Sequence, residues 1–155
     1  MIRTISGFHQ DEDGDWVAEV SCLHSQHVRH RPPFQDRSWT QTEETRRQRL
    51  GTPIECPRCD RAELPEGLVH TRCAGPFDNQ TLPAGLREVH RVASGTWGLL
   101  QVHRGIVGLS VPETAAPIWL SEGQSQAIPP DVPHRLSLEG PMELSVEFLA
   151  RPGYR

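Results

Sequence analysis

Short apolar stretches recur along the second half of the chain, with glycine, proline and aspartate between them. They lie at residues 99–102, 106–109, 117–120, 126–128, 135–138 and 144–149. Strand-length apolar segments about ten residues apart, separated by turn residues, are typical of a β-sandwich or β-barrel. A closed double-sheet jelly roll also removes the exposed sheet edges of so short a chain. This half is therefore predicted to be all-β.

The beginning of the chain has the pattern of a β-hairpin. Residues 16–20 are mostly apolar and follow the turn-forming residues Asp13-Gly14-Asp15, so they are predicted to form a strand. Residues 26–30 are its predicted partner, because Pro32-Pro33 directly afterwards cannot continue a strand in the middle of a sheet.

A short helix is predicted to follow the hairpin at residues 41–50. Thr40 and Glu43 have the spacing of a capping box, in which each side chain bonds the backbone N–H of the other residue. Gly51 comes directly after the segment and is a typical helix stop. The segment contains few apolar residues, so the helix is expected on the surface.

Turn-forming residues separate the two halves. They are Pro65-Glu66-Gly67 and Ala74-Gly75-Pro76. We therefore predict a module at residues 1–75 and a second domain at residues 76–155. The predicted fold class is mainly β, with a small β-hairpin/helix module followed by a double-stranded β-barrel of the jelly-roll type. Small modules often need a staple such as a structural metal, because they bury little apolar surface.

Composition changes this picture little. Hydrophobic residues make up 35% of the chain, while 14 prolines and 13 glycines favour short strands with many turns over long helices. No apolar run is long enough for a membrane span, and the N-terminus lacks the pattern of a signal peptide, so the cytoplasm is the expected location.

The net charge of −4 gives no basic footprint, so nucleic acid is not an expected partner. Arg29, Arg31 and the arginines at positions 46–49 could form a local basic face, for which a solvated surface is the simpler interpretation.

The cysteine and histidine positions point to a metal site in the first half. Cys56-Pro57-Arg58-Cys59 places two thiolates on one tight turn, so that both sulfurs can reach one tetrahedral ion. Cys22-Leu23-His24 at the end of the hairpin offers a second pair of ligands. Together they predict a closed Zn²⁺ site with three sulfurs and one nitrogen, which would supply much of the module's folding free energy.

The histidine ligand has an alternative. His24 is preferred because a one-residue gap makes the tightest turn, and His27 is the second choice. His9 and His30 are left for hydrogen bonds around the site, for a separate site or for the surface. Cys73 lies far from both pairs and is expected to be a free thiol or a core residue.

The first half also resembles a bacterial family of unknown function, DUF3565. The matching residues are Gly7-Phe8-His9-Gln10-Asp11, Gly14-Asp15-Trp16-Val17-Ala18, the run from Cys22 to His30, and Cys56-Pro57-Arg58-Cys59-Asp60. The glycine that this family usually has between Cys and His is Leu23 here. The resemblance supports a zinc module and implies no established activity.

A histidine motif characterises the second half. Gly123, Pro129 and His134 have the spacing of the second cupin motif, in which a glycine turn, a strand and a proline turn lead to a histidine inside the barrel. Asp131 stands where that motif usually has another glycine, and aspartate tolerates such turns. The His-x-His pair of the first cupin motif is absent, and Glu88-Val89-His90 is the nearest replacement.

The second half also resembles the tellurite-resistance TehB/YeaR-like (DUF1971) family of small cupins. The matching residues are the run from Pro76 to His90, Gly95-Thr96-Trp97-Gly98, Leu100, Val102, Gly105, Pro129, His134 and Val146-Glu147-Phe148. The resemblance implies a cupin barrel that is associated with tellurite or nitrosative stress, and a homodimer is an expectation from the same source. It implies no settled catalytic mechanism.

A second metal site is predicted inside the barrel. Glu88 and His90 are two residues apart, so on a strand they would point to the same face and could meet His134 from a facing strand. Two imidazoles and one carboxylate leave coordination positions open and suit Fe(II), Ni(II), Mn(II) or Zn(II). The competing interpretation of Glu88 and His90 is a buried polar pair satisfied by the backbone.

Other polar and aromatic residues of the barrel are weaker candidates. Glu147 is a second carboxylate candidate, with a position on the rim as the alternative. His103 lies beside a turn and is expected to be exposed. Trp97, Trp119 and Phe148 are expected to pack in the core or to form the wall of a pocket.

Two functional hypotheses follow. The first is a metal-dependent cupin enzyme that acts on a small molecule, with His90 and His134 as ligands. The second is a non-catalytic protein that senses or sequesters a metal, an oxyanion or a reactive nitrogen species, with the zinc module as an interaction surface. An open coordination position in an enclosed pocket would favour the enzyme.

Overall fold

The computed structural model describes residues 1–112 and 116–153, and its contacts divide the chain into two compact units. They are Met1–Arg61 and Ala62–Arg155. Strands account for 45% of the residues and helices for 10%, which confirms the mainly-β prediction. Within the described ranges, no helix has the length and hydrophobicity that a membrane span requires.

The first unit is a small antiparallel sheet with short helices. Its elements are β1 (Ile2–Gln10), β2 (Trp16–Val20), β3 (Ser25–His27), a 3₁₀ helix (Ser38–Thr40), α1 (Glu43–Arg47), β4 (Pro53–Glu55) and α2 (Pro57–Asp60). The strand order is β3-β2-β1-β4. The predicted hairpin of residues 16–20 and 26–30 is thus β2 and β3, with β3 beginning one residue earlier and ending sooner than predicted.

The helix is shorter than predicted and begins at a different cap. The side chain of Thr42, and not that of Thr40, accepts a hydrogen bond of 3.2 Å from the backbone N–H of Thr45. Thr40 instead ends the 3₁₀ helix, where its hydroxyl donates to the carbonyl of Arg37 at 2.8 Å. Gln48, and not the predicted Gly51, is the C-cap of the helix, and Gly51 adopts a φ of 77° in the turn that follows.

The apolar core of the first unit is small. Its buried cluster consists of Ile5, Ala18 and Val28, against which partly buried hydrophobic side chains pack, and Val17 and Val20 are also buried. No residue of α1 is buried. A core of this size stabilises a unit of about sixty residues only marginally, so a further source of stability is needed.

The second unit consists of two antiparallel sheets. Its strands are β5 (Val69–Asp78), β6 (Thr96–Arg104), β7 (Ile106–Ser110), β8 (Ile118–Ser121), β9 (Ser125–Ile128), β10 (Arg135–Leu138) and β11 (Glu143–Ala150), with a 3₁₀ helix at Ala84–Leu86. The two sheets have the orders β5-β11-β6-β9 and β10-β7-β8. Each apolar stretch predicted as a strand overlaps one of these strands, with β8 beginning one residue later than predicted.

One hydrophobic core joins the two sheets. Leu100, Leu144 and Val146 enter it from the four-stranded sheet, and Val107 and Leu136 enter it from the three-stranded sheet. The inward side chains of both sheets therefore face each other, as they do in β-sandwiches and jelly rolls.

Strand β5 was not predicted, and it runs through the boundary expected between residues 75 and 76. Gly75 and Pro76 in this segment were interpreted as a linker, whereas the contacts divide the chain after Arg61. The strand tolerates a proline because β5 lies at the edge of its sheet and needs hydrogen bonds on one side only.

Candidate metal centre and ligand cavity

The turn between β2 and β3 presents Cys22 and His24 on the same side. The backbone N–H of Leu23 donates to the carbonyl of Val20 at 2.8 Å, and the N–H of Val20 donates to the carbonyl of His24 at 3.0 Å. Leu23 adopts a φ of 71°, a left-handed conformation that favours glycine. This explains why the resembling family has glycine at the position, and it shows that the turn here is strained.

The second pair of ligands lies at the beginning of α2. Cys56 is the N-cap residue, Pro57 occupies the first turn, and Cys59 lies on the same turn. The N–H of Cys59 donates to the carbonyl of Cys56 at 3.1 Å, which closes the turn and brings the two sulfurs to one side. Proline suits the first turn of a helix because its missing N–H would have no partner there.

The four side chains form one buried cluster, a potential metal-binding site. Cys22, His24, Cys56 and Cys59 are all buried, and their ligand atoms lie within 4.8 Å of one another. The sulfurs of Cys22 and Cys56 are 3.7 Å apart. Nδ1 of His24 lies 3.4, 3.3 and 3.7 Å from the sulfurs of Cys22, Cys56 and Cys59.

These spacings fit one tetrahedral ion. Two sulfurs bound to zinc at their usual bond length would be about 3.8 Å apart, and a sulfur and an imidazole nitrogen about 3.5 Å apart. The side chains are therefore arranged around a position that a zinc-sized cation would fill, with Nδ1 as the ligand atom of His24.

The thiols of the cluster interact electrostatically with one another and with Arg3. The neighbouring Cys59 thiol lowers the pKa of Cys22 to about 4 through a hydrogen bond to its sulfur. The same hydrogen bond and burial raise the pKa of Cys59, against which the guanidinium of Arg3 acts. Arg3 is only 8% exposed, so a permanent positive charge is held close to the thiols. The sequence analysis did not identify Arg3, because its distance along the chain from the cysteines and from His24 forms no recognisable motif.

The other histidines of the first unit lie outside the cluster. Nε2 of His27 pairs with Asp11 at 2.9 Å, and Nδ1 of His9 pairs with Glu19 at 3.1 Å. Nδ1 of His30 accepts a hydrogen bond of 2.9 Å from the N–H of Arg37. The structure thus brings His24 and not His27 to the three cysteines. Cys73 is exposed.

In the second unit, His90 and His134 are brought together by the backbone. Each donates its N–H to the carbonyl of the other at 2.9 Å, and their rings lie edge to face with centroids 4.2 Å apart. His134 directly precedes β10 and is 2% exposed. Asp131, before it, adopts a φ of 63°, the left-handed conformation that the usual glycine would have.

The tautomer of both rings is determined by backbone carbonyls. Nδ1 of His90 lies 2.9 Å from the carbonyl of Glu88, and Nδ1 of His134 lies 2.8 Å from the carbonyl of Val132. Because a carbonyl only accepts, each Nδ1 carries the proton and each Nε2 has a lone pair when the ring is neutral. Burial lowers the pKa of His134, and the neighbouring His90 lowers it further, so the neutral form is favoured.

The imidazole pair lines a largely apolar cavity of about 390 Å³. Its walls include Phe77, Leu100, Ile128, Leu136, Val146 and Phe148. Arg72 and Arg91 also line it, and both are exposed. A concave apolar site with a few converging polar groups is the usual form of a small-molecule site.

The predicted carboxylate ligands do not join this pair. Glu88 is exposed and does not lie on a strand, so the alternation that would have placed it beside His90 does not apply. It contributes its carbonyl and not its carboxylate. Glu147 pairs with Nδ1 of His70 at 3.0 Å. It does not line the cavity, because its neighbours Val146 and Phe148 occupy the inward face.

The remaining candidates of the second half lie where the sequence predicted them, except for Trp119. Trp97 is fully buried, and Phe148 lines the cavity, whereas Trp119 is 45% exposed. His103 is exposed, as expected, with Nε2 2.7 Å from the hydroxyl of Ser145. Sequence reasoning missed the two cavity arginines. Arg91 adjoins His90 and could have been found, whereas Arg72 reaches the cavity only through the pairing of β5 with β11.

Comparison with known families matches both halves of the chain. Residues 6–63 match DUF3565, a protein family of unknown function, and residues 73–146 match the TehB-like domain. These matches confirm both resemblances noted in the sequence. The cysteine-histidine cluster lies within the residues that match DUF3565, and the imidazole pair lies within those that match the TehB-like domain.

Two solved structures share the fold. A protein from Escherichia coli strain K12 has a TM-score of 0.52 and 26% identity, over 58% of this chain and 97% of that one. TehB from Haemophilus influenzae has a TM-score of 0.50 and 23% identity, over 56% of this chain and 32% of that one. The matched part of this chain therefore corresponds to about a third of that TehB chain, and the likeness is one of fold. None of the functionally curated proteins compared with the chain matches it.

Proposed function

We propose that Cys22, His24, Cys56 and Cys59 hold a structural Zn²⁺. The support is the buried set of three sulfurs and one nitrogen at tetrahedral spacing. A site with four protein ligands leaves no coordination position for a substrate, which is typical of structural and not catalytic zinc. Three thiolates and one Zn²⁺ carry a net charge of −1, which the buried Arg3 would offset. The cytoplasm remains the proposed location, because such thiols must stay reduced.

We further propose that the TehB-like domain is a small cupin that binds a small molecule between its sheets. The observation that carries this proposal is the pair of imidazoles of His90 and His134, whose Nδ1 atoms are held by carbonyls beside an apolar cavity. The two remaining Nε2 atoms would orient the bound molecule by accepting hydrogen bonds from it.

A divalent metal on the same imidazoles is the second candidate. Histidines that bind metals usually donate their other N–H to a carbonyl or carboxylate, as His90 and His134 do. Fe(II), Ni(II), Mn(II) or Zn(II) would need further ligands from the bound molecule or from water, because the Glu88 carboxylate is not beside the rings. Such an ion would supply Lewis acidity, and the protein would then be a metalloenzyme.

The TehB-like match supports a proposal about the biological role of the protein. We propose a role in a bacterial stress response related to tellurite resistance. A non-catalytic sensor or sequestration protein is the alternative to an enzyme, and the cavity suits both. We still predict that the protein forms a homodimer and that it does not bind nucleic acid.

Elemental analysis of the purified protein tests both metal proposals. We expect one equivalent of zinc per chain from the cysteine cluster, and a preparation with a well-folded first unit but no zinc would contradict the structural role. A second equivalent that remains when Cys56 and Cys59 are replaced, and disappears when His134 is replaced, would identify a metal on the imidazole pair. A single equivalent would leave the cavity as a metal-free binding site.

Leu23 offers a sharper test of the cysteine-histidine turn. Replacing Leu23 by glycine should relieve the left-handed strain and slow zinc release, whereas valine should hasten it, because a branched side chain is disfavoured at a φ of 71°. The expected difference between the two variants is about 1–2 kcal/mol. The rate of zinc transfer to a chromogenic chelator measures it. Equal rates for the two variants would mean that the turn is not strained in solution.

A further inference from the structure

We propose that the cavity of the TehB-like domain takes an organic anion, with its charged group at Arg72 and Arg91 and its apolar body against the sheet walls. This inference rests on the proposed small-molecule function of the same cavity and specifies the class of ligand. The inference is based on the charges around the cavity and on the apolar side chains that form its walls.

The two arginines are positioned at the cavity without carboxylate partners. The guanidinium of Arg72 lies over the ring of Phe148, 4.0 Å from its centroid, and the ring itself lines the cavity. Arg91 adjoins His90 in the lining. Neither arginine has an ion pair with any described residue, so the positive charge of both remains available to a ligand.

No acidic residue opposes these charges. Among the described residues that line the cavity, none is an aspartate or a glutamate. Glu147, the nearest carboxylate along β11, is paired with His70. The Glu88 carboxylate is exposed, outside the lining. The charged residues of the cavity are therefore all cationic, and an organic cation would meet repulsion there.

The apolar walls of the cavity favour a ligand that has an apolar portion. Leu100, Ile128, Leu136 and Val146 contribute to both the core and the cavity wall. A volume of about 390 Å³ holds a molecule the size of a substituted aromatic or short-chain acid. An inorganic oxyanion would satisfy the arginines but would leave the apolar walls uncovered. The combination favours a carboxylate, sulfonate or phosphate ester with a hydrophobic portion.

Calorimetric or ligand-observed NMR titration with three probes tests this proposal on the full-length protein. The probes are benzoate, which has both charge and apolar body, benzyl alcohol, which lacks the charge, and sulfate, which lacks the body. We expect benzoate to bind at least about tenfold more tightly than either, since a charge-assisted hydrogen bond contributes roughly that factor. Arg72→Gln or Arg91→Gln should remove about tenfold of the benzoate affinity.

A matched control separates cavity charge from overall charge. Arg104→Gln makes the same change in net charge at a residue that does not line the cavity, and it should leave benzoate binding unchanged. If benzyl alcohol binds as tightly as benzoate, or if the control weakens binding as much as Arg72→Gln, the anion proposal is wrong while the small-molecule function stands. If no probe binds at millimolar concentration, the small-molecule function itself is contradicted. Tighter binding of sulfate than of benzoate would replace the organic anion by an inorganic one.

Discussion

Replacing Cys56 and Cys59 together by serine should abolish zinc binding and unfold residues 1–61, with the second unit still folded. The apolar core of the first unit has few fully buried members, Ile5, Ala18 and Val28 being those that form its cluster. Structural zinc contributes on the order of 10 kcal/mol of folding free energy in small modules, which exceeds the total stability of a typical domain of this size. The loss should therefore be complete and not partial. Zinc content and a two-dimensional amide NMR spectrum measure it.

Cys73→Ser is the matched control for that variant. This thiol is exposed and lies in the second unit, so its replacement should change neither zinc content nor the spectrum of the first unit. A double variant that remains folded without metal would exclude a structural zinc. A double variant that keeps its zinc would show that other ligands hold the ion.

Replacing His134 by alanine should weaken ligand binding in the cavity of the second unit and leave the fold intact. The bridge between residues 90 and 134 consists of backbone hydrogen bonds, which alanine keeps. The lost imidazole removes one of the two Nε2 acceptors beside the cavity, at a cost of about 1–3 kcal/mol in binding, or roughly ten- to hundredfold in affinity. Titration with 4-hydroxybenzoate, whose hydroxyl supplies the donor that benzoate lacks, measures the effect, and any metal on the pair should be lost as well.

Replacing His90 by alanine should also weaken ligand binding. This variant disturbs the packing of the core less, because the ring of His90 is only half-buried. His103→Ala is the control, since that side chain is exposed and bonds Ser145. Unchanged binding in both cavity variants, with folding confirmed by thermal denaturation, would mean that the imidazole pair is not part of a binding site.

The success of the sequence analysis depended on how local each signal is. The Cys56 and Cys59 pair is a local motif, because the turn that joins the sulfurs is built within four residues. The strands of the second half were also evident, because short apolar stretches separated by turn residues are a local pattern. The preference for His24 over His27 came from the one-residue gap after Cys22, and the structure agrees with it, since His27 pairs with Asp11.

The failures share one physical cause. The same-face argument for Glu88 and His90 assumed a strand, and the segment instead continues irregularly from a 3₁₀ helix. The glycine and proline at residues 75 and 76 suggested a linker, although an edge strand tolerates both. In each case a local sequence pattern was used to infer tertiary structure, and the neighbouring strands do not support that inference.

By itself, the sequence indicated the mainly-β class, the two family resemblances and the grouping of Cys22, His24, Cys56 and Cys59 into a potential metal site. Only the tertiary structure decided that Arg3 lies beside the thiols, that His90 and His134 share a backbone bridge, and that Arg72 and Arg91 line one cavity. The physical reason is that ligand spacing within a turn follows from covalent geometry, whereas the partners of a side chain across a sheet follow from strand register and packing, which no short segment of the sequence contains.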